Sequence, residues 1–555
     1  MSEKSQKKVI SEVLRTGVIG DRRYLVDIDS ISANQLLTDT LVVGAGIAGL
    51  MAAIEASQNQ KVIIICKGTL EDSNTWMAQG GIASVLNNTD SFESHITDTL
   101  NAGCGLCDEK IVDTVIKQGP VLLDQLFQWG VEFDIAGKNI ATTKEGGHSH
   151  PRVAHAHGDE TGRVIAQVLI QKAKENVNIR VIQNFYAIDL LTNEDNECVG
   201  VIGSNGTRGI QIIWAANTIL ASGGAGQLYR ETTNPEVATA DGIAMAYRAG
   251  AVLSNLELVQ FHPTTLYIAG ASRALITETL RGEGAILVDN NGQRFMDQYH
   301  EDAELAPRDV VSRAILSQML KINATHVYLD VRKFDKEHFK KRFPNISDLC
   351  ESFDIDITKD LIPVRPSAHY MIGGIKTDAL TATNIKNLYA CGEAACTGLH
   401  GANRLGSNSL LESLVFGKTA GAQATQKEKT TIKRISYPII RFQVPYSERT
   451  RLDAKDVRNS LRALMWRNVG ITRKEKPLLE AQEIIGFWQR YVMDKVFDSP
   501  DGWECQNMLT VSRLIAYSAH WRKESRGVHF RSDFPDINDK NFKKSTEIMR
   551  PKTGE

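Results

Sequence analysis

Along the first half of the chain, short continuous apolar runs alternate with apolar positions at helical spacing, the order of a βαβ unit. Leu41–Val43 and Val62–Ile65 read as buried strands, with Leu50–Gln58 between them as a helix. The alternation continues to about Gly250 and predicts a parallel, doubly wound sheet. From about Leu256 to Tyr370 it becomes irregular, with polar turns around a helix-like Arg308–Leu320 and a strand-like His326–Leu329. Asn387–Cys391 is strand-like again and leads through a Gly-rich loop into a helical Ser409–Ala422, so a distant segment completes the first domain and the middle piece is an insertion. Beyond Tyr437, positions such as Leu461, Leu464, Met465 and Val469 recur at helical spacing. The expected organisation is an N-terminal extension (1–37), an α/β domain in two parts (38–255 and 371–435), an inserted α+β capping domain (256–370) and a helical C-terminal domain (436–555).

The length of 555 residues fits this division, because one hydrophobic core rarely serves so long a chain. A content of 42% hydrophobic and 23% charged residues with a formal net charge of -2 gives no sign of a nucleic-acid or membrane partner. Apolar runs such as Val62–Cys66 fall far short of the ~20 residues of a membrane-spanning helix. The charged N-terminus lacks the apolar core of a secretory signal, and the expected location is cytoplasmic. Of eight cysteines only Cys104 and Cys107 are closely spaced, and a single C-x-x-C without a second ligand pair makes a poor zinc site. Neither metal nor structural disulfide is expected.

Candidate chemistry begins at Gly44-Ala45-Gly46-Ile47-Ala48-Gly49, directly after a strand and opening a helix. In that context a G-x-G-x-x-G run allows a tight turn and lets backbone N–H groups approach a pyrophosphate. The second strand ends at Lys67, where simple nicotinamide domains carry an acidic residue for the ribose hydroxyls. Lys67 is therefore a donor to phosphate or ribose, or a solvated lysine. Two further strands run into glycine turns, one at Gly223-Gly224 and one at Leu388–Glu393, whose carboxylate suits ribityl hydroxyls. Ser407-Asn-Ser409-Leu410 opens an apolar helix whose N–H groups and dipole favour negative charge at a flavin N1/C2 edge, or serves as an ordinary N-cap.

These pieces resemble the flavoprotein superfamily of succinate dehydrogenase and fumarate reductase over roughly residues 38–435. The resemblance is carried by Ala78-Gln-Gly-Gly-Ile82, Thr233-Asn-Pro235, Asp241-Gly-Ile-Ala244, Gln260-Phe-His-Pro-Thr264, Thr277–Gly284, Pro307-Arg-Asp309 and His400-Gly-Ala-Asn-Arg404. It implies an FAD-binding Rossmann-like domain with a capping domain, and cofactor contacts that also include Asn74, Thr75, Ala78, Gln79, Gly80 and Gly81. Further contacts implied are Ala187, Ile188 and Asp241. Respiratory succinate dehydrogenases attach FAD to the histidine of a Ser-His-Thr sequence. Here Ser73-Asn74-Thr75 implies non-covalent FAD.

Within the superfamily, Lys144-Glu-Gly-Gly-His-Ser149 looks like the L-aspartate oxidase motif, as do Met465–Ile471 and Glu524–His529. Succinate enzymes have an uncharged residue at the position of Glu145, where a carboxylate would hold a substrate ammonium. Ala156–Glu160 departs from the small-residue pattern of the family. By the resemblance, Glu145, His262, Thr277, Glu278, Arg308, His369 and Arg404 line a dicarboxylate site, with Arg308 and Arg404 as bidentate anchors. Arg308 is also the implied proton donor to fumarate, dependent on Glu278 and Arg281. The implied partners are L-aspartate and dioxygen or fumarate, with the product iminoaspartate hydrolysing to oxaloacetate or being consumed by quinolinate synthase in NAD biosynthesis. A soluble fumarate reductase or succinate dehydrogenase flavoprotein and a non-catalytic FAD-binding protein are the alternatives.

Overall fold

The computed structural model describes residues 14–15, 22–206, 209–271, 273–426, 437–445 and 452–551. The boundary expected at 435/436 lies outside these residues. The first long strand, β1 (Asn34–Val43), begins inside the segment assigned to the N-terminal extension. Its first residues are exposed and polar, so the apolar pattern begins late, yet they pair in parallel with Gln211–Ala215. Tyr24, Leu25, Val26 and Ile28 are buried against Tyr186, Trp214 and Trp503. Residues 24–37 are thus part of the globule, not an appendage.

From β1 the chain passes through α1 (Ile47–Ala56), β2 (Val62–Ile65), α2 (Glu109–Gln128), α3 (Thr161–Glu175) and β3 (Ile179–Ile182). Three strands follow: β4 (Tyr186–Thr192), β5 (Cys198–Ser204) and β6 (Ile210–Leu220). The short helix α4 (Asp241–Ala249) then leads into the insertion. The sheet order is β3-β2-β1-β6-β5-β4. Strands β3, β2, β1 and β6 pair in parallel, but β4, β5 and β6 form an antiparallel meander, so the sheet is mixed where the sequence pattern predicts a parallel one. The few residues between β4 and β5, with Asn196 at φ 58°, suffice for a hairpin and not for a crossover. Helices α1, α2 and α3 cover one face of the sheet, and α4 lies in the core on the other.

The insertion is built on an antiparallel sheet of β7 (Val259–Leu266), β8 (Ile286–Val288), β9 (Val327–Asp330) and β10 (Ile362–Met371), with α5 (Arg308–Lys321) packed on it over a separate core. The chain then returns to the first sheet as β11 (Leu388–Ala390), parallel to β6, and α6 (Asn408–Gln426) packs beside α1. Helices α7 (Ala454–Asn468), α8 (Glu475–Val492) and α9 (Pro500–Trp521) complete the core on the α4 face. Among the described residues no helix is long and apolar enough to cross a membrane.

Candidate active site

The C-terminal ends of β1, β2, β6 and β11 open into one continuous cleft that extends to the capping sheet and holds about 1750 Å³ of space not filled by protein. Gly44 (φ 111°) makes the turn after β1, and a Cβ there would lie 2.1 Å from the Ala221 carbonyl oxygen where β1 passes β6. Gly46 faces the cleft, with only the Thr75 hydroxyl within 4 Å of an added Cβ. Gly46, the N-cap residue of α1, brings no capping side chain of its own. Ala45, Ile47, Ala48, Thr75, Ala78, Gln79, Gly80 and Gly81 share this wall, and the Ile47 N–H donates to Thr75 Oγ1 at 3.1 Å.

The buried Gln79 Oε1 and Ser222 Oγ, both on the wall, have no partner among the described residues. Bare glycine backbone at a helix N-terminus and orphaned polar atoms fit a dinucleotide, whose phosphates and hydroxyls satisfy such groups. Ala187, Gly223, Asp241, Ser407, Ser409 and Leu410 also line the cleft. Gly49, Ile188 and Gly224 do not. A Cβ on Gly49 would meet the Gly44 carbonyl, one on Gly224 would meet Glu393, and Ile188 is fully buried in a core cluster, so these three support the wall from behind.

Glu393 accepts from the Met371 N–H at 2.9 Å and from Asn74 Nδ2 at 2.8 Å. Burial pushes its carboxyl up to about 7, against the effect of these hydrogen bonds. Asn74 is thereby occupied as an amide donor at the position where a histidine would be required for covalent attachment. Lys67 is no solvated lysine: its side chain is 17% exposed, and its ammonium donates to Thr239, Asp241 and Glu504.

The far end of the cleft is built by backbone irregularity as much as by residue type. Across β7 and β10, Gln260 is opposite Tyr370 and Phe261 opposite Ala368, which leaves His369 as the extra residue of a bulge. A second irregularity follows His262. Such interruptions re-aim side chains, and the two imidazoles meet edge to face with ring centroids 5.1 Å apart. His369 Nδ1 is 2.9 Å from Thr233 Oγ1, and His262 Nδ1 is 3.1 Å from the Thr264 carbonyl oxygen. Burial holds both imidazoles well below their usual pKa, aided by Arg308 at His262 and by Arg404 at His369, so both are neutral.

Arg308, the first residue of α5, donates from Nε to Glu278 Oε2 at 2.6 Å and from Nη1 to Gln260 Oε1 at 3.2 Å. The other Glu278 oxygen accepts from Arg281 at 3.0 Å. Burial opposes ionisation of Glu278, but the two guanidinium groups hold its carboxyl below the usual range. Arg281 does not line the cleft: it stands behind Glu278 and is 2% exposed. Arg404 lies over the Tyr370 ring at 4.4 Å with a buried Nε that has no partner among the described residues. Burial and then Arg308 bring its pKa down to about 10, so it remains a cation at neutral pH.

Glu145 completes the set. It is 3% exposed, and its two oxygens accept from Thr279 Oγ1 at 3.1 Å and Ser407 Oγ at 2.7 Å. A Cβ on Gly406 would fall within 3.4 Å of Arg308, Glu278 and Glu145 alike, which shows how closely the three converge. The cleft end thus carries Glu145, His262, Thr277, Glu278, Arg308, His369 and Arg404 together. Sequence reasoning did not single out Gln260, Thr279 and Tyr370, which contact Arg308, Glu145 and Arg404 respectively. Gln260 and Thr279 lie inside the quoted motifs, but nothing in their order shows which side chain turns toward Arg308 or Glu145.

Comparison with known proteins agrees with this geometry. An FAD binding domain family matches residues 39–410, and a fumarate reductase flavoprotein C-terminal family matches residues 458–555. The chain is 39% identical over 531 residues to an L-aspartate oxidase of Streptomyces coelicolor, covering 92% of this chain and 91% of that protein. With a chloroplastic L-aspartate oxidase of Arabidopsis thaliana it shares 41% over 540 residues, covering 92% and 83%. Among solved structures, the FrdA chain of an E. coli quinol fumarate reductase variant superposes with a TM-score of 0.87 at 32% identity, covering 94% of this chain and 96% of that one. Mycobacterium smegmatis Sdh1 in complex with UQ1 superposes at 0.78, also at 32% identity, covering 91% and 90%. An FAD-binding cleft that ends in paired arginines and histidines, together with this likeness over nearly the whole chain, places the protein: it belongs to the L-aspartate oxidase family, within the FAD-binding flavoproteins of the fumarate reductase type.

Proposed function

We propose that the protein oxidises L-aspartate to iminoaspartate, with dioxygen or fumarate as the final electron acceptor. When bound in the cleft, FAD supplies the acceptor for the hydride that leaves the substrate α-carbon. The protein supplies placement. Arg308 and Arg404 each offer a planar guanidinium that matches a carboxylate with two parallel hydrogen bonds. With His262 Nδ1 accepting from the Thr264 N–H and His369 Nδ1 accepting from the Thr233 hydroxyl, the neutral imidazoles each carry their proton on Nε2 and can donate it to the same carboxylates.

Glu145 carries the choice of substrate. Aspartate differs from succinate by one ammonium, and a buried carboxylate held by two hydroxyls beside the arginines is the group that recognises it. The same carboxylate accepts a proton from that ammonium, which must be released before the α-hydrogen leaves as hydride. Glu278 links Arg308 to Arg281, whose other end reaches the Glu304 carbonyl oxygen. In the fumarate-reducing direction Arg308 gives a proton to the substrate and regains one from water by way of Glu278 and Arg281. The product is an unstable imine, consistent with a quinolinate-forming enzyme as its consumer in NAD biosynthesis and with a cytoplasmic site of action.

The test is anaerobic titration of the holoenzyme with L-aspartate and then succinate, following flavin absorbance, for the wild type, Glu145→Gln and Arg308→Leu. Bleaching by aspartate and not by succinate, slowed in Glu145→Gln and abolished in Arg308→Leu, is expected. Rapid bleaching by succinate alone would assign the protein as a succinate dehydrogenase flavoprotein. No bleaching by either would leave a non-catalytic FAD protein.

A further inference from the structure

Beyond the C-terminal end of β2 the cleft wall is not completed by the first sheet alone. Lys67 lies two residues beyond β2, in the region where simple dinucleotide domains place a carboxylate for the ribose. All three of its ammonium hydrogens are used, by Thr239 Oγ1 at 2.6 Å, Asp241 Oδ2 at 2.7 Å and Glu504 Oε1 at 2.6 Å. Asp241 is as fully engaged: Lys67 and Thr239 donate to one oxygen, and Tyr186 OH at 2.7 Å and Asn507 Nδ2 at 2.8 Å donate to the other. Glu504 and Asn507 both belong to α9 in the C-terminal region. The second Glu504 oxygen holds Arg458 of α7 at 2.9 Å, and Arg458 also reaches the exposed Asp501 at 3.0 Å, so Glu504 joins the largely buried Lys67–Asp241 pair to a second, more exposed cation. Asn507 Oδ1 accepts from Arg248, which is paired with the fully buried Asp189.

Lys67, Asp241 and Tyr186 line the cleft, whereas Glu504 and Asn507 do not. We propose that Glu504 and Asn507 are positioning residues for FAD: the C-terminal helix fixes the Lys67 ammonium and the Asp241 carboxylate so that the adenosine end of the cofactor meets a preformed wall. The inference rests on the cofactor assignment and is independent of the substrate. The charge of Glu504 acts through Lys67. Without it Lys67 keeps one carboxylate in place of two, and its ammonium relaxes toward the cleft.

The experiment removes FAD from the holoenzyme and follows its rebinding by quenching of flavin fluorescence. It compares the wild type, Glu504→Gln, Lys67→Met and the double variant. Glutamine keeps the size of Glu504 and can still accept from Lys67, so only the charge is lost. A charge-assisted hydrogen bond of this kind implies a Kd about 10-fold or more weaker for Glu504→Gln. Because the effect passes through Lys67, the double variant is expected to bind no more weakly than Lys67→Met alone, whereas a general structural role would multiply the two losses. Asn507→Ala, which leaves every charge in place, gives a second measure with a loss in the same direction. Glu475→Gln, an exposed position on α8, is the control and should stay within about twofold of the wild type. A Glu504→Gln constant within twofold of the wild type, an unchanged Asn507→Ala constant, or losses that multiply in the double variant would overturn the proposal. Flavin reduction by aspartate is read separately, so failure here leaves the proposed reaction untouched.

Discussion

Gly406→Ala tests the geometry of the site with a single methyl group. The built Cβ lies 3.1 Å from Arg308 Nη2, 3.3 Å from Glu278 Oε2 and 3.4 Å from Glu145 Oε2. Ordinary contact begins near 3.5 Å, so Arg308 has to withdraw by about 0.4 Å. It cannot do so freely, because Nε is held by Glu278 and Nη1 by Gln260. If a 1 Å misplacement costs about 100-fold in rate, a shift of this size costs about 1 kcal/mol, or about 5-fold in the rate of flavin reduction by aspartate. Stability should change little, since Gly406 does not adopt a positive φ and alanine restricts the unfolded chain more than glycine does. The assay is stopped-flow reduction at saturating aspartate, with FAD affinity and urea midpoint measured beside it. A wild-type rate would refute the convergence of the three side chains. So would a rate loss that merely follows loss of FAD or of folded protein.

Other consequences concern the supports of the site. The Glu393 carboxyl rises from 4.5 to about 7 in the folded chain, so its contribution to stability is fully present below pH 4.5 and is lost as pH rises through about 7. The rise corresponds to about 3 kcal/mol, and urea denaturation of the apoprotein at pH 5 and pH 8 should show Glu393→Gln losing correspondingly less stability than the wild type; parallel pH profiles would refute this. Thr279→Val removes one hydroxyl from Glu145 at almost constant volume and should lower kcat/KM for aspartate by about 10-fold while leaving fumarate reduction intact. Equal loss in both directions would show that Thr279 serves the fold and not the ammonium site. Arg281→Met breaks the buried chain behind Arg308 and should slow fumarate reduction by the reduced enzyme about 100-fold, with FAD binding unchanged; a rate within twofold of the wild type would remove Arg281 from the proton path.

How much of this is legible in the chain depends on whether the signal is local. The G-x-G-x-x-G turn, the strand ends at Gly223 and Glu393, the insertion and the helical tail are local patterns of apolar period and glycine, and they were readable. Arg308, Arg404, His262 and His369 are singled out by family motifs alone, because no spacing in the sequence shows that residues 262 and 404 line the same cleft. The start of β1 was not legible: a half-exposed edge of a strand carries no apolar run, and its place is set by pairing with β6. The antiparallel meander was also misread, since buried parallel and antiparallel strands share the same composition.

By itself, then, the sequence determined an α/β dinucleotide fold with an insertion and a set of candidate charged groups, because backbone turns and amphipathic periods are properties of neighbouring residues. Tertiary structure alone decided that Arg281 stands behind Glu278, that Lys67 is sealed by two carboxylates instead of being solvated, and that α9 holds Lys67 and Asp241 from behind the cleft wall. The pairing of Lys67 with Glu504 spans 437 positions of chain. Such a contact leaves no local trace, because its free energy depends on burial and distance, and both arise only when separate cores pack against one another.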